Sequence, residues 1–398
     1  MRAFPIYGWA LPLAALALAP QAGAPTPWPQ GVVKIATQSP LSGGQATLGE
    51  GVRRGAQLAI EQLAGALDKL GVKIELAPFD DQGRPDVAAT NAGRIVAEGS
   101  ILLVIGHLDG TALSALDVYR EAQLAMISLA AAPAVTDLNY ANASRISGRD
   151  DVQGVAGAEF ARTLKIKTAS IAHDGTTYGW RVAEAFRKHA TKLGIEVIGF
   201  EGMQDRPGFD RIVAPLRARQ PDLMYLAGNP DEAARFLREA REGGVRARFM
   251  GPDALASPDF VRMAGRVAVG TYYTTTAGPL SSYAGARQFA RAYRQRFKND
   301  PDTVAALAYD ATATGLKALE TAIKEIGGRG SPRGAVAAAL RKVRHAGITG
   351  AIEFDEKGDL KKSLYFVFQV ASDDPAKWGD NKEVMRLELP PPPLKKQD

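Results

Sequence analysis

From Val32 onward the chain alternates short apolar runs with longer amphipathic ones, and this alternation restricts the fold more than any other feature. Apolar runs at 32–37, 72–79, 101–105 and 124–129 read as strands. Helical patterns start between them, near Leu48, Arg84 and Thr111. Strands separated by helices must cross over in the same sense, which predicts a parallel sheet covered on both faces. A second series follows, with helices at 151–164, 180–193, 209–219 and 231–242 and strands at 168–172, 197–200, 223–226 and 249–250. After 267–273 the pattern changes to helices at 283–297, 304–326 and 334–343, whose apolar faces need a sheet already formed. Strand-like 351–354, a turn at 355–358 and an alternating run at 364–370 lead towards a Pro/Lys tail at 390–398.

A chain of 398 residues divides by size into about two domains, each able to bury a core. The net charge of +6 is dispersed among acids along helices such as 236–246, with no basic run interleaved with aromatics, so no nucleic-acid partner is expected. Cysteine is absent, which removes thiol catalysis, cysteine-bound metal, disulfides and a lipid-modified cysteine. At the N-terminus, Arg2 precedes an apolar stretch at 9–19 and the small residues Ala22, Gly23 and Ala24. Residues 1–24 therefore read as a secretory signal peptide and 25–31 as a linker, which places the protein in the periplasm.

Within residues 101–133 a strand, a helix and a strand are expected, with both strand ends stripped of bulk at 106–110 and 128–132. In an open parallel sheet, ligands bind outside the carboxyl ends of the strands, and small residues there admit close approach. The signatures of nucleotide, phosphate-loop, zinc-protease and serine-hydrolase sites are all missing. The four histidines, His107, His173, His189 and His345, are not spaced as metal ligands. His107 and His173 each close a buried strand, either as satisfied structural imidazoles or as site residues. Asp80 and Asp81, ahead of Gly83 and Pro85, suit the start of a helix better than an acid/base couple. Asp109, followed by Gly110 and Thr111, reads either as a helix N-cap or as a charge directed into a cleft.

Further segments carry a resemblance. VIGHL at 104–108, MIS at 126–128, SIAHD at 170–174 with Tyr178 and Gly179 following, FMGPD at 249–253 and FDEKGDL at 354–360 occur in the order seen in the periplasmic leucine/isoleucine/valine-binding proteins. The chain resembles this family from about Val32 to Val370. The resemblance implies two doubly wound α/β lobes joined by three hinge crossovers, near Ser147, Thr271 and Thr349: the Venus-flytrap fold of a class I periplasmic binding protein. Lobe 1 would comprise 32–147 and 272–348, lobe 2 148–271 and 349–389.

It also implies a substrate-binding protein of an ABC importer, closing on a small polar solute, an amino acid or analogue, and delivering it to an inner-membrane permease. A ligand-sensing receptor of the same fold, or an exported α/β enzyme, is the alternative. The reading taken is a monomer that is not an enzyme and has neither cofactor nor metal. The ligand wall would comprise Leu48, Leu108, Asp109, Gly110, Thr111, Ala130, Ala132, Tyr178, Asn229 and Asp253. In that comparison Ala130 keeps a backbone contact, Tyr178 an aromatic on the second rim, and Asp253 an acid that neutralises a ligand ammonium.

Elsewhere the sequence departs from the family. Asp109-Gly110 stands where the family has serine, Ala132 where it has threonine, Leu48 where it has tyrosine, and Asn229 or Pro230 where it has an aromatic. Each lost hydroxyl removes a charge-assisted bond to a carboxylate worth about 1.5–3 kcal/mol. Two such losses weaken a standard α-amino acid by roughly two to four powers of ten. The expected ligand has a cationic or hydroxyl-rich end and little free carboxylate.

Overall fold

The computed structural model describes residues 31–203, 208–326 and 331–393, apart from the side chains of Asp109 and Ile326. The expected signal peptide and the linker up to Gln30 lie outside these residues, and Gly31 already opens the first strand.

Among the described residues, five strands form the first sheet: β1 (Gly31–Ser39), β2 (Val72–Asp80), β3 (Ile101–Gly106), β4 (Ala125–Ser128) and β5 (Ala143–Arg145). They lie in the order β2-β1-β3-β4-β5, all parallel. β3 is apolar throughout and buried on both faces, as a central parallel strand must be. Val33, Ile35, Ile105 and Ile127 pack on one face against Ala308, Leu319 and Val336. Ala36, Val104 and Met126 pack on the other against Ala92, Ala112, Leu116 and Tyr119.

The second sheet gathers β6 (Thr168–His173), β7 (Glu196–Gly202), β8 (Leu223–Ala227), β9 (Arg248–Gly251), β10 (Tyr272–Thr275) and, after a small hairpin of β11 (Arg344–Ala346) and β12 (Ala351–Glu353), β13 (Ser363–Gln369) and β14 (Lys382–Leu389). Its order is β14-β13-β10-β9-β8-β6-β7. Strands β6 to β10 are parallel, and β13 and β14 extend the edge antiparallel.

The helices Thr303–Ile326 and Pro332–Leu340 return to the first sheet, as the sequence suggests, through Leu316, Leu319 and Leu340. The passages between bodies fall later than expected. Tyr272–Thr275 hydrogen-bonds to β9 and β13, so those residues belong to the second body, not to lobe 1 from 272. Ile352, Phe354 and Leu360 lie in the first core, so the last passage follows Leu360, not Thr349.

In both sheets the strand order reverses between neighbours, at β1/β3 and at β6/β8. The first reversal is held by a close approach. Gly106 has φ +131°, and a Cβ there would fall 2.3 Å from the Gln38 carbonyl oxygen. Gly106→Ala is therefore expected to cost about 2–4 kcal/mol through backbone strain and overpacking, read as a lowered urea midpoint. Unchanged stability would refute the contact.

Candidate functional site

The first wall is built on the carboxyl ends of β3 and β4. After Gly106 the chain turns through His107 at φ +61°, and the helix Asp109–Glu121 begins. Leu108, not Asp109, holds the N-cap position, and Asp109 is the first helical residue. Leu108 is half-buried against the first core, while Gly110 is exposed. Thr111 is buried, and its Oγ1 donates to the Leu108 carbonyl at 3.2 Å.

Beneath this turn lies a closed polar cluster. The His107 ring sits between Thr111 Oγ1 at 3.4 Å and Tyr119 Oη at 3.2 Å, and Tyr119 Oη donates to Gln38 Oε1 at 2.9 Å. Complete burial pushes the imidazole down to about 3, so it is neutral, and its role is structural. Asp80 and Asp81 likewise hold a turn. Asp80 accepts from the Leu41 and Gln82 amides and Asp81 from the Gly83 amide, ahead of Pro85 at the first helical position.

At the end of β4, Ala130 is internally engaged. Its N–H donates to Ser128 Oγ at 3.1 Å, and its carbonyl accepts from Arg145 Nη1 at 3.2 Å and Ser147 Oγ at 3.1 Å. Arg145 Nη1 also donates to the Ala132 carbonyl at 2.7 Å. A carbonyl has two lone pairs, and both on Ala130 face donors, one of them cationic. Leu48, third residue of the helix Ala46–Leu63, is exposed.

The second wall rises from β6, β8 and β9. Asp174, just past β6, bridges the sheet's reversal. It accepts from the Thr176 amide and hydroxyl through Oδ1 and from the Asn229 amide through Oδ2 at 3.0 Å. Thr176 in turn caps the helix Thr177–Lys192, accepting from the Gly179 amide. The Asn229 side chain is exposed.

Tyr178 and Asp253 are 75 residues apart in sequence, and the fold joins them: Tyr178 Oη donates to Asp253 Oδ1 at 2.5 Å. Burial, and then the neighbouring Asp253 charge, hold the phenol well above its ordinary value, so it remains a donor. Gln153 Oε1 accepts from the Asp253 amide at 3.0 Å and from Thr274 Oγ1 at 3.2 Å, fixing the start of the Asp253 turn. His173 Nδ1 accepts from the Gly175 amide, which makes it a turn residue.

Where β5 leads into the helix Asp150–Thr163 sits a buried ionic cluster. Asp359 pairs with Arg145 at 2.8 Å, Arg149 at 2.9 Å and Lys357 at 3.2 Å, and Arg149 also reaches Asp137 and Asp151. Thr136 Oγ1 donates to Asp359 Oδ1 at 2.7 Å. Sequence reading missed Gln153, Asp174, Arg145 and Ser147. Of these, Asp174 alone carried a local signal, in Asp174-Gly175-Thr176, a turn and cap pattern ahead of a helix. Among the described residues no group of acids and histidines could hold a metal, and no helix is long and apolar enough to cross a membrane.

A profile of the periplasmic binding protein family matches residues 32–375. The chain is 32% identical to a leucine-, isoleucine-, valine-, threonine- and alanine-binding protein of Pseudomonas aeruginosa, over 85% of this chain and 89% of that one. It is 27% identical to a Leu/Ile/Val-binding protein homolog of Brucella abortus, over 87% and 92%. Among solved structures, a leucine-binding protein of Thermotoga maritima superposes with a TM-score of 0.67 at 26% identity, covering 89% of this chain and 98% of that one.

Proposed function

The chain belongs to the periplasmic binding protein family, and we propose that it is the exported solute receptor of an ATP-driven importer, closing its two lobes on a small solute that a membrane permease then receives. The proposed activity is binding by a monomer, without turnover. By name, relatives of this chain bind leucine, isoleucine, valine, threonine and alanine, or are homologs of a Leu/Ile/Val-binding protein. The proposed ligand differs from theirs: a small molecule with a cationic or hydroxyl-bearing end set against Asp253, and little free carboxylate.

The Tyr178–Asp253 pair carries this reading. The Tyr178 phenol holds the Asp253 carboxylate at the second wall, where its negative charge would attract an ammonium or hydroxyl of the solute. The first wall argues in the same direction. Ala132 has no hydroxyl to offer a carboxylate, and the Ala130 carbonyl is taken by a guanidinium and a serine, which disfavours a second cation there. The carboxylate of an amino acid placed here would meet no Ala132 hydroxyl, while Leu48 and Leu108 supply apolar surface.

Native mass spectrometry of the purified protein identifies any retained solute, and calorimetry then measures it beside leucine, valine, alanine and threonine. Asp253→Asn is expected to weaken the retained solute about 10- to 100-fold, as loss of a charge-assisted bond predicts. Submicromolar leucine or valine binding by the unaltered protein would sink the carboxylate-poor reading. Failure of every solute to bind would sink the receptor.

A further inference from the structure

We propose that residues 382–393 form a rigid strap that doubles the last passage between the lobes and restrains their opening. The strap lies beyond the family match, which ends at residue 375. Its first half is β14, paired antiparallel with β13 from Gln369↔Lys382 to Ser363↔Leu389. The pairing is seated in the second lobe. Met385, Leu387 and Leu389 alternate as the half-buried residues, with Leu387 and Leu389 packed against Val152, Ala156 and Tyr365. Lys362 and Glu388 pair at 3.2 Å where the strand ends.

Leu389 pairs with Ser363, the first residue of β13, so the chain leaves the second lobe beside the point where the last passage enters it. Residues 390–393 are all proline. They run back to the first lobe, where Lys357 Nζ donates to the Pro392 carbonyl at 2.7 Å. Lys357 is fixed to that lobe on both sides. Arg341 Nη2, just past the helix Pro332–Leu340, donates to the Lys357 carbonyl at 3.1 Å, and the Arg145 amide donates to the Gly358 carbonyl at 2.8 Å.

Pro392 and Pro393 also line a cavity whose other walls include Leu138 of the first lobe and Trp180 and Lys188 of the second. The segment thus has one end in each lobe. Consecutive prolines form a semi-rigid extended rod of about 3.1 Å per residue with no N–H to satisfy. A flexible connection would follow a hinge motion, whereas a rod anchored at both ends resists it.

The chain has no cysteine, so single cysteines can be placed for spin labels without background. Leu113→Cys on the first lobe and Asp231→Cys on the second are both exposed. Electron–electron distance measurement without solute would compare the full chain, a chain ending at Leu389, and a full-length chain with residues 390–393 changed to glycine. We expect the truncation to widen the distance distribution about twofold and the glycine chain to widen it as well, since glycine removes the rod but not the length. Distributions matching the full chain in both variants would overturn the strap. Widening in the truncation alone would overturn its rigidity. The glycine chain keeps the test open should the truncation fold poorly, and because no solute is used, the result stands apart from the identity of the ligand.

Discussion

Replacing Asp359 by alanine is expected to destabilise the protein by about 3–5 kcal/mol, because it strips the counter-charge from buried cations. Arg145 is fully buried, and Arg149 and Lys357 nearly so. Asp137 and Asp151 still reach Arg149, but Arg145 would keep only hydroxyl and carbonyl partners. The same carboxylate sets a pH signature. Burial pushes Asp359 up, but the Arg145 and Arg149 charges, the Thr136 hydroxyl and Lys357 outweigh it and bring the group from 3.8 down to about 2. A depressed folded value means that the unfolded chain binds the proton first. The stabilisation is therefore complete above about pH 4 and is lost as pH falls through 2, roughly 2.5 kcal/mol in all. Urea unfolding of the parent protein and Asp359→Asn should thus show a gap that narrows between pH 4 and pH 2. A gap that stays constant over that interval would place the stabilisation elsewhere.

The cluster also shows what the sequence made legible and what it did not. Strands such as β3 and helices such as Thr303–Ile326 were readable because their burial is periodic or continuous along the chain. β14 is not legible in the same way, although Val384, Arg386 and Glu388 alternate with Met385, Leu387 and Leu389. An edge strand with one shallow face carries weak periodicity, and its partner β13 precedes it across a turn of 3-10 helix at Pro375–Asp380. The lobe boundaries slipped for a related reason. Tyr272–Thr275 and Ala351–Glu353 are both short strands with little pattern of their own, and only hydrogen bonding and packing assign the first to the second sheet and the other to a hairpin on the first core.

The site divides in the same way. Tyr178 and Asp253 stand 75 residues apart in sequence, and only folding joins them. The state of Ala130 was invisible, because its carbonyl partners Arg145 and Ser147 come from a short strand and the passage after it. A backbone position that is open in the sequence can be filled in the fold by a side chain fifteen residues away. Whether Ala130 meets a solute is thus decided by tertiary contacts that no local pattern records.

His107 should dominate acid sensitivity above pH 3. The ring is completely buried, at φ +61°, between Thr111 and Tyr119, with the Gln38 amide beyond and the Asp81 carboxylate near Tyr119. Burial lowers it from 6.5 to about 3. Here too the unfolded chain takes the proton first, so stability falls as pH drops below about 6.5 and goes on falling until about 3. The slope is about 1.4 kcal/mol per pH unit and the total roughly 4–5 kcal/mol. His107→Asn removes the titration and keeps a residue that tolerates the left-handed backbone. At pH 7.5 the variant should be the less stable protein, because it loses the Tyr119 contact. Between pH 6.5 and 4 its urea midpoint should fall more slowly than that of the parent, and the two curves should converge. His345, pushed down to about 4 by burial and Lys317, titrates in both proteins and cancels in the comparison. Parallel curves over this range would mean that His107 takes up a proton in the folded state, and the closed polar cluster beneath the first wall would then be wrong.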